Sequence, residues 1–214
     1  MAYCLRILRL TPPGLSLIVN IGIMELFDAK TKCPDDSQTE NARGFIQVYT
    51  GNGKGKTTAA LGLAFRAAGH GRKTYIAQFC KGQRYGELEA VRKLSPLITI
   101  KQFGRKGFIH VTDDPDEIDI RQAKNGLHEA LEVMCSRHFD IIVLDEINIA
   151  LHFHLIDETE IHAFLDQKPA SIEVILTGRY APDSLIRRAD LVTEMTEVKH
   201  YYHKGVQARL GIEK

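Results

Sequence analysis

The sequence predicts an α/β fold, a doubly wound and mostly parallel sheet with helices on both faces. Three observations carry this expectation. Short apolar or β-branched runs alternate with helix-periodic stretches from Gly44 onward, the pattern of strand–helix–strand units. One run, Phe139–Leu144 (FDIIVL), ends in four consecutive apolar residues, as a strand covered on both faces does. A glycine-rich turn closing on Lys56-Thr57-Thr58 joins the first strand to the first helix, and open α/β sheets collect ligands at the carboxyl ends of their strands.

The elements follow in order. Phe45, Ile46, Val48 and Tyr49 read as a short buried strand, and Gly51, Gly53 and Gly55 break it before the apolar-periodic helix Ala59–Ala68. After the Gly69–Gly71 turn, Lys73–Cys80 is a second strand, Lys81–Tyr85 a loop and Gly86–Leu94 a short helix. Leu97–Phe103 is a β-branched third strand that runs into the basic loop Gly104–His110 (GRKGFIH). Asp113-Asp114-Pro115 signals a helix start, and the pattern continues to Arg137. Phe139–Leu144 is the fourth strand, Asp157–Gln167 a helix, Ile172–Thr177 a fifth strand, Pro182–Ala189 a helix and Leu191–Val198 a last strand. There is no internal repeat and no low-complexity tract.

The 214 residues suit one domain with an extension, enough chain to bury a core without staples. We expect residues 1–43 to be a poorly ordered N-terminal extension and residues 44–214 the functional domain, because every motif lies after Gly44. Arg6 and Arg9 ahead of Leu15–Met24 give a faint likeness to a signal peptide, but no small-x-small site follows and Asn20 interrupts the run. An extension, or a true start at Met24, is the preferred reading, with Cys33–Arg43 as a polar linker. A net charge of +1 argues against a nucleic-acid platform, and no apolar run has the length of a membrane span. Cys4, Cys33, Cys80 and Cys135 contain no C-x-x-C pair, so reduced thiols of a cytoplasmic protein are expected.

Strand, glycine loop, Lys-Thr and helix together form the context of a phosphate-binding loop. Glycines let backbone N–H groups turn inward around an anion, and the helix N-terminus adds positive charge. Gly51, Asn52, Gly53, Lys54, Gly55, Lys56, Thr57 and Thr58 are the candidate nucleotide ligands. Lys56, expected in a solvent-facing loop, would reach the outer phosphates, and the Thr57 hydroxyl would ligate Mg²⁺. The usual pattern has glycine four residues before the Gly-Lys pair, where this chain has Thr50.

Asp145, at the end of an apolar strand roughly 90 residues downstream, completes an ATP-site signature and can hold Mg²⁺ beside Thr57. Glu146 is either a further metal ligand or the base that activates water. No Asn-Lys-x-Asp guanine-reading motif occurs, which favours ATP over GTP. Weaker features carry competing readings. His152 and His154 are two apart and do not share a helix face, so packing is preferred to a metal pair. Lys101, Arg105 and Lys106 either steer an anion or form a solvated edge. Spacing does not decide whether Tyr201 and Tyr202 line a pocket.

Thr50–Ala60 (TGNGKGKTTAA), Phe103–Phe108 (FGRKGF), Val143–Asn148 (VLDEIN), Thr177-Gly178-Arg179 and Val198–Glu213 together resemble the P-loop type of cob(I)alamin, or corrinoid, adenosyltransferase. The likeness runs from about Gly44 to the C-terminus, and Thr50 is part of it. The resemblance implies a RecA-like P-loop fold and an ATP bound in reverse orientation. Co(I) of the corrinoid attacks the ribose 5′ carbon, and triphosphate leaves. Asn52, Arg66 and the loop would bind ATP, while Thr57 with Glu146 would hold Mg²⁺, making Glu146 a ligand and no hydrolytic base. Lys56 would stabilise the leaving group. Phe108 matches an aromatic that packs against the lower corrinoid face and displaces its axial ligand, and His110 replaces a second aromatic, commonly tryptophan. The implied partners are ATP, a corrinoid (cobalamin, cobinamide or a precursor), a flavin-type electron donor and a second copy in a homodimer. The competing readings are an ordinary Mg-ATP hydrolase or small-molecule kinase, and a non-catalytic nucleotide-dependent corrinoid-binding module.

Overall fold

A computed structural model describes residue 33 and residues 43–105 and 115–213. Six strands form one sheet: β1 (Ile46–Thr50), β2 (Thr74–Phe79), β3 (Ile98–Phe103), β4 (Ile141–Asp145), β5 (Glu173–Thr177) and β6 (Leu191–Glu194). Their order is β3-β2-β4-β5-β1-β6, and every pairing is parallel. β5 lies between the loop strand β1 and the acid strand β4, the RecA-like arrangement of a P-loop fold. Helices α1 (Lys56–Ala68), α2 (Gly86–Arg92), α3 (Glu117–Ser136), α4 (Ile147–His152), α5 (Glu158–Asp166) and α6 (Asp183–Arg188) supply the crossovers.

Alternation along the strands builds two cores from one sheet. Ile142 and Leu144 of β4 join Val174 and Leu176 of β5 against α3, α4 and α5, where Leu131, Met134, Ile147 and Phe164 close the layer. Ile141, Val143 and Ile175 point the other way, onto Ala60, Ala64 and Ala67 of α1. These alanines recur at helical spacing and carry no bulk, so α1 lies close against the sheet. That seats its N-terminus directly above the strand ends.

Several expectations shift by a few residues. The α3 cap is Asp116, whose carboxylate accepts the Ile118 N–H at 3.0 Å; Asp113 and Asp114 of the expected start signal lie outside the described residues. β6 stops at Glu194, four residues short of the expected Val198. The sequence reading missed α4 and a 3₁₀ turn at Tyr201–Lys204. At six and four residues both are too short for periodicity to register.

The cysteines require a larger correction. Cys33 and Cys135 are joined by a disulfide, with Cα atoms 4.5 Å apart, while Cys80 is free. The partners are separated by 102 positions, so folding, not local spacing, brings them together. Among the described residues no helix is long and apolar enough to cross a membrane.

Candidate active site

Beyond Thr50 the chain turns through the glycine loop into α1. Gly51 has φ 93°, and a Cβ there would lie 2.5 Å from the Met195 carbonyl oxygen, so this turn requires glycine. The same carbonyl accepts the Gly53 N–H at 2.6 Å, bracing the loop from behind with the residue after β6. Thr50 is the last strand residue, and its hydroxyl accepts the Ala181 N–H at 3.2 Å. α1 begins with no side-chain cap and no acidic residue in its first turn. Its first N–H groups and positive dipole end are therefore available to an anion.

Lys56 is not solvent-facing. It is 7% exposed, and its ammonium donates to the carbonyls of Gly51 at 2.6 Å and Gly53 at 2.7 Å. A flexible four-carbon stem lets it fold back onto its own loop. Burial depresses its pKa and Arg179 adds to this, with Glu146 and Asp145 opposing.

Asp145 is fully buried at the end of β4. Its Oδ1 accepts from the Thr57 hydroxyl at 2.9 Å and the Thr177 hydroxyl at 2.7 Å. Its Oδ2 accepts from the Gln78 amide at 3.2 Å and the Lys81 ammonium at 2.7 Å. These four donors use the carboxylate's roughly four acceptor positions. Asp145 therefore sits one layer behind the surface that Thr57 presents. Glu146 faces forward instead. Its backbone is left-handed, φ 62°, and its N–H is held by the Thr177 hydroxyl at 3.0 Å. Burial raises the Glu146 pKa, and the neighbouring Asp145 raises it further, against Lys81, Lys56 and Arg179.

These groups border an open cleft of about 770 Å³, lined by the loop from Asn52 to Thr58, by Lys81, Tyr85 and Glu87, and by Glu146 and Arg179. Its volume is that of an ordinary small-ligand site. The far wall is the C-terminal segment, where Glu213 accepts from Lys54 at 3.0 Å and Arg209 at 3.1 Å. Tyr201 also donates to Glu213, and these partners hold its carboxyl far below the usual carboxylate range, Arg209 most strongly, then Tyr201.

The structure thus gathers the loop, Thr57 and Glu146 around one cleft, with Asp145 beneath. It does not bring Arg66 there. Arg66 is exposed on the last turn of α1, about 15 Å of helix away from the loop. Phe108, His110 and Lys106 lie outside the described residues. Lys101 pairs with Glu129, and Arg105 with Asp116 and Asp119, which favours a structural basic edge. His152 stacks on Tyr180 with ring centroids 4.2 Å apart, and among the described residues no group of three or more His, Cys, Asp or Glu could hold a metal. Tyr201 meets the tail, whereas Tyr202 is 65% exposed.

Sequence reasoning gave no site role to Gln78 or Lys81, and it quoted Thr177 and Arg179 only as part of the Thr177-Gly178-Arg179 motif. Each sits at or just past the carboxyl end of a strand, which was the available signal.

The sequence model of the ATP:corrinoid adenosyltransferase BtuR/CobO/CobP family matches residues 42–213. The chain belongs to this family. It is 40% identical over 174 residues to a corrinoid adenosyltransferase of Sinorhizobium sp, covering 80% of each chain. It is 36% identical to the Pseudomonas aeruginosa corrinoid adenosyltransferase, over 83% of this chain and 87% of the relative. Against the Escherichia coli K12 corrinoid adenosyltransferase it is 35% identical, over 83% and 89%. As a corrinoid adenosyltransferase this protein uses ATP and a corrinoid as substrates.

Proposed function

We propose that ATP lies in this cleft with its triphosphate against the loop from Asn52 to Thr58. Co(I) of the corrinoid then attacks the ribose 5′ carbon, a cobalt–carbon bond forms, the carbon–oxygen bond breaks, and inorganic triphosphate leaves with the electron pair. The convergence of uncapped α1 N–H groups, Lys56 and Arg179 on one wall supports this reading most directly. Fixed donors aimed at charge growing on a leaving group act strongly in a site shielded from water. The nucleophile belongs to the substrate, so the protein's task is to position, desolvate and neutralise.

Hard oxygen donors at Thr57 and Glu146 fit Mg²⁺, which typically takes one or two carboxylates together with substrate phosphates. Bound there, the ion would neutralise triphosphate charge. Asp145 would orient the Thr57 hydroxyl from behind. Glu146 would serve the metal and not activate water. Phe108 and His110 would contact the lower face of the corrinoid, and a flavin-type donor would supply the electron that makes Co(I). Arg66 would act at ATP only across a homodimer, and exposed Val198, Leu210 and Ile212 on the C-terminal segment offer apolar surface for such contact. ATP as substrate favours the cytoplasm.

Incubating the protein with ATP, Mg²⁺ and chemically reduced cobalamin, then resolving the phosphorus products, tests the reaction. Triphosphate is expected. Phosphate or diphosphate would point to hydrolysis or kinase chemistry, and no turnover to a binding module.

A further inference from the structure

Lys81 follows β2 and is tied to the nucleotide wall by its backbone. Cys80 before it is left-handed, φ 56°, and its N–H donates to the Phe103 carbonyl at 3.1 Å. Gly104 approaches so closely that a Cβ there would lie 2.6 Å from the Lys81 nitrogen. This turn sends the side chain inward, where it is only 14% exposed. The ammonium lies 2.7 Å from Asp145 Oδ2 and 3.4 Å from Thr57 Oγ1, with the Tyr85 ring centroid 5.4 Å away.

A single positive charge thus stands between the hydroxyl and the carboxylate that a divalent cation would approach. Asp145 has no acceptor position left. A metal ion can reach this carboxylate only by displacing a donor. Gln78 and Thr177 are fully buried and Thr57 is itself a candidate ligand, whereas Lys81 lines the open cleft on a flexible stem.

We propose that Lys81 is the resident counter-ion of the metal position, a positioning residue that neutralises Asp145 and keeps Thr57 in place until metal and nucleotide arrive. When they do, its ammonium yields Asp145 and turns to the polyphosphate, adding a second lysine to the leaving-group wall. Two consequences follow. The empty enzyme binds divalent ions weakly, because an ammonium already occupies the place. Metal-free ATP retains affinity, because the lysine serves as its cation. This rests on the nucleotide site proposed above.

The test uses the full chain with Mn²⁺, read by electron paramagnetic resonance, and ATP binding, read by calorimetry with and without metal. Lys81→Met should tighten Mn²⁺ binding to the nucleotide-free protein by about tenfold or more, since a unit charge within a few ångströms is removed. It should also weaken metal-free ATP several-fold while weakening Mn²⁺-ATP less. Lys81→Met/Asp145→Asn should lose the gain in Mn²⁺ affinity. Lys81→Gln keeps an amide donor for Asp145 and carries the same test if the methionine variant does not fold. Unchanged Mn²⁺ affinity in Lys81→Gln and Lys81→Met, or a gain that survives Asp145→Asn, overturns the proposal. Absence of ATP binding in the wild-type protein would instead overturn the nucleotide site itself.

Discussion

The ammonium of Lys56 donates to the carbonyl oxygen of Gly53 at 2.7 Å, so the loop that should hold a phosphate chain is cross-braced by its own lysine. The same group bonds Gly51, and in the proposed reaction ATP draws it away from both carbonyls. Lys56→Ala should therefore do two things. Adenosyl transfer should fall by roughly 100-fold to 1,000-fold, the range for removing one transition-state donor. Stability should also fall by about 1–3 kcal/mol, because partly buried carbonyls lose a charged donor. Adenosylation kinetics and urea unfolding check the two parts separately, and near-normal activity in the folded variant would remove the loop from the site.

Thr177 couples the two acidic residues, donating to Asp145 at 2.7 Å and accepting from the Glu146 N–H at 3.0 Å. Thr177→Val keeps the shape and removes both bonds. We expect a loss of about 1–3 kcal/mol of stability and weaker metal-ATP binding, with Thr177→Ser restoring both. If Val and Ser behave alike in unfolding and calorimetry, the hydroxyl is not what orders the acidic pair.

The Glu146 pKa is raised by burial first and by Asp145 second. A raised acid favours its neutral form, whereas a metal ion requires the carboxylate. Metal affinity should thus be complete at higher pH and fall as pH drops through the raised value, above the ordinary glutamate range near about 4.3. Titrating Mn²⁺ binding to the ATP complex against pH should show this. Glu146→Gln should flatten the profile, and a wild-type profile that falls only below the ordinary range would contradict it.

Phe108, which lies outside the described residues, is the proposed anchor of the corrinoid contact. Phe108→Ala should slow adenosylation starting from Co(II) more than from pre-reduced Co(I), with ATP affinity little changed. His110→Trp should be tolerated or favour the four-coordinate Co(II) species. Absorption and electron paramagnetic resonance spectra of that species give a readout apart from turnover. Identical spectra and rates in Phe108→Ala would leave the loop without this role.

The Cys33–Cys135 bond closes a separation of 102 positions, and a loop near 100 residues is worth up to about 4.7 kcal/mol in the chain-entropy estimate. Reductant should lower the unfolding midpoint of the oxidised wild-type protein but not that of Cys135→Ser. Equal midpoints with and without reductant in the wild type would show that the bond contributes nothing measurable.

Much of the fold was legible because its signals are local. The apolar register of β4 and β5, the glycine loop and the alanine face of α1 follow from period and residue type alone. The acidic pair was legible too, as an apolar strand ending in Asp145-Glu146. The donors around Asp145 were not. Gln78 and Lys81 come from the end of β2 and Thr177 from the end of β5, and only the order β2-β4-β5 makes them neighbours of Asp145. The buried state of Lys56 was hidden for a related reason. A lysine in a glycine loop looks exposed until the fold shows which carbonyls it can reach.

The position of β1 in the sheet also carries a consequence in time. Its two neighbours are β5 and β6, with Ile46 beside Val174 and Gln47 beside Leu191. A ribosome adding about 5–20 residues each second makes β1 long before either neighbour exists. The glycine loop is therefore among the earliest parts of the domain to be synthesised and among the last to acquire its shape. A nascent chain stalled near residue 170 should leave that segment open to protease and unable to retain ATP, and one stalled with β6 clear of the exit tunnel should do neither.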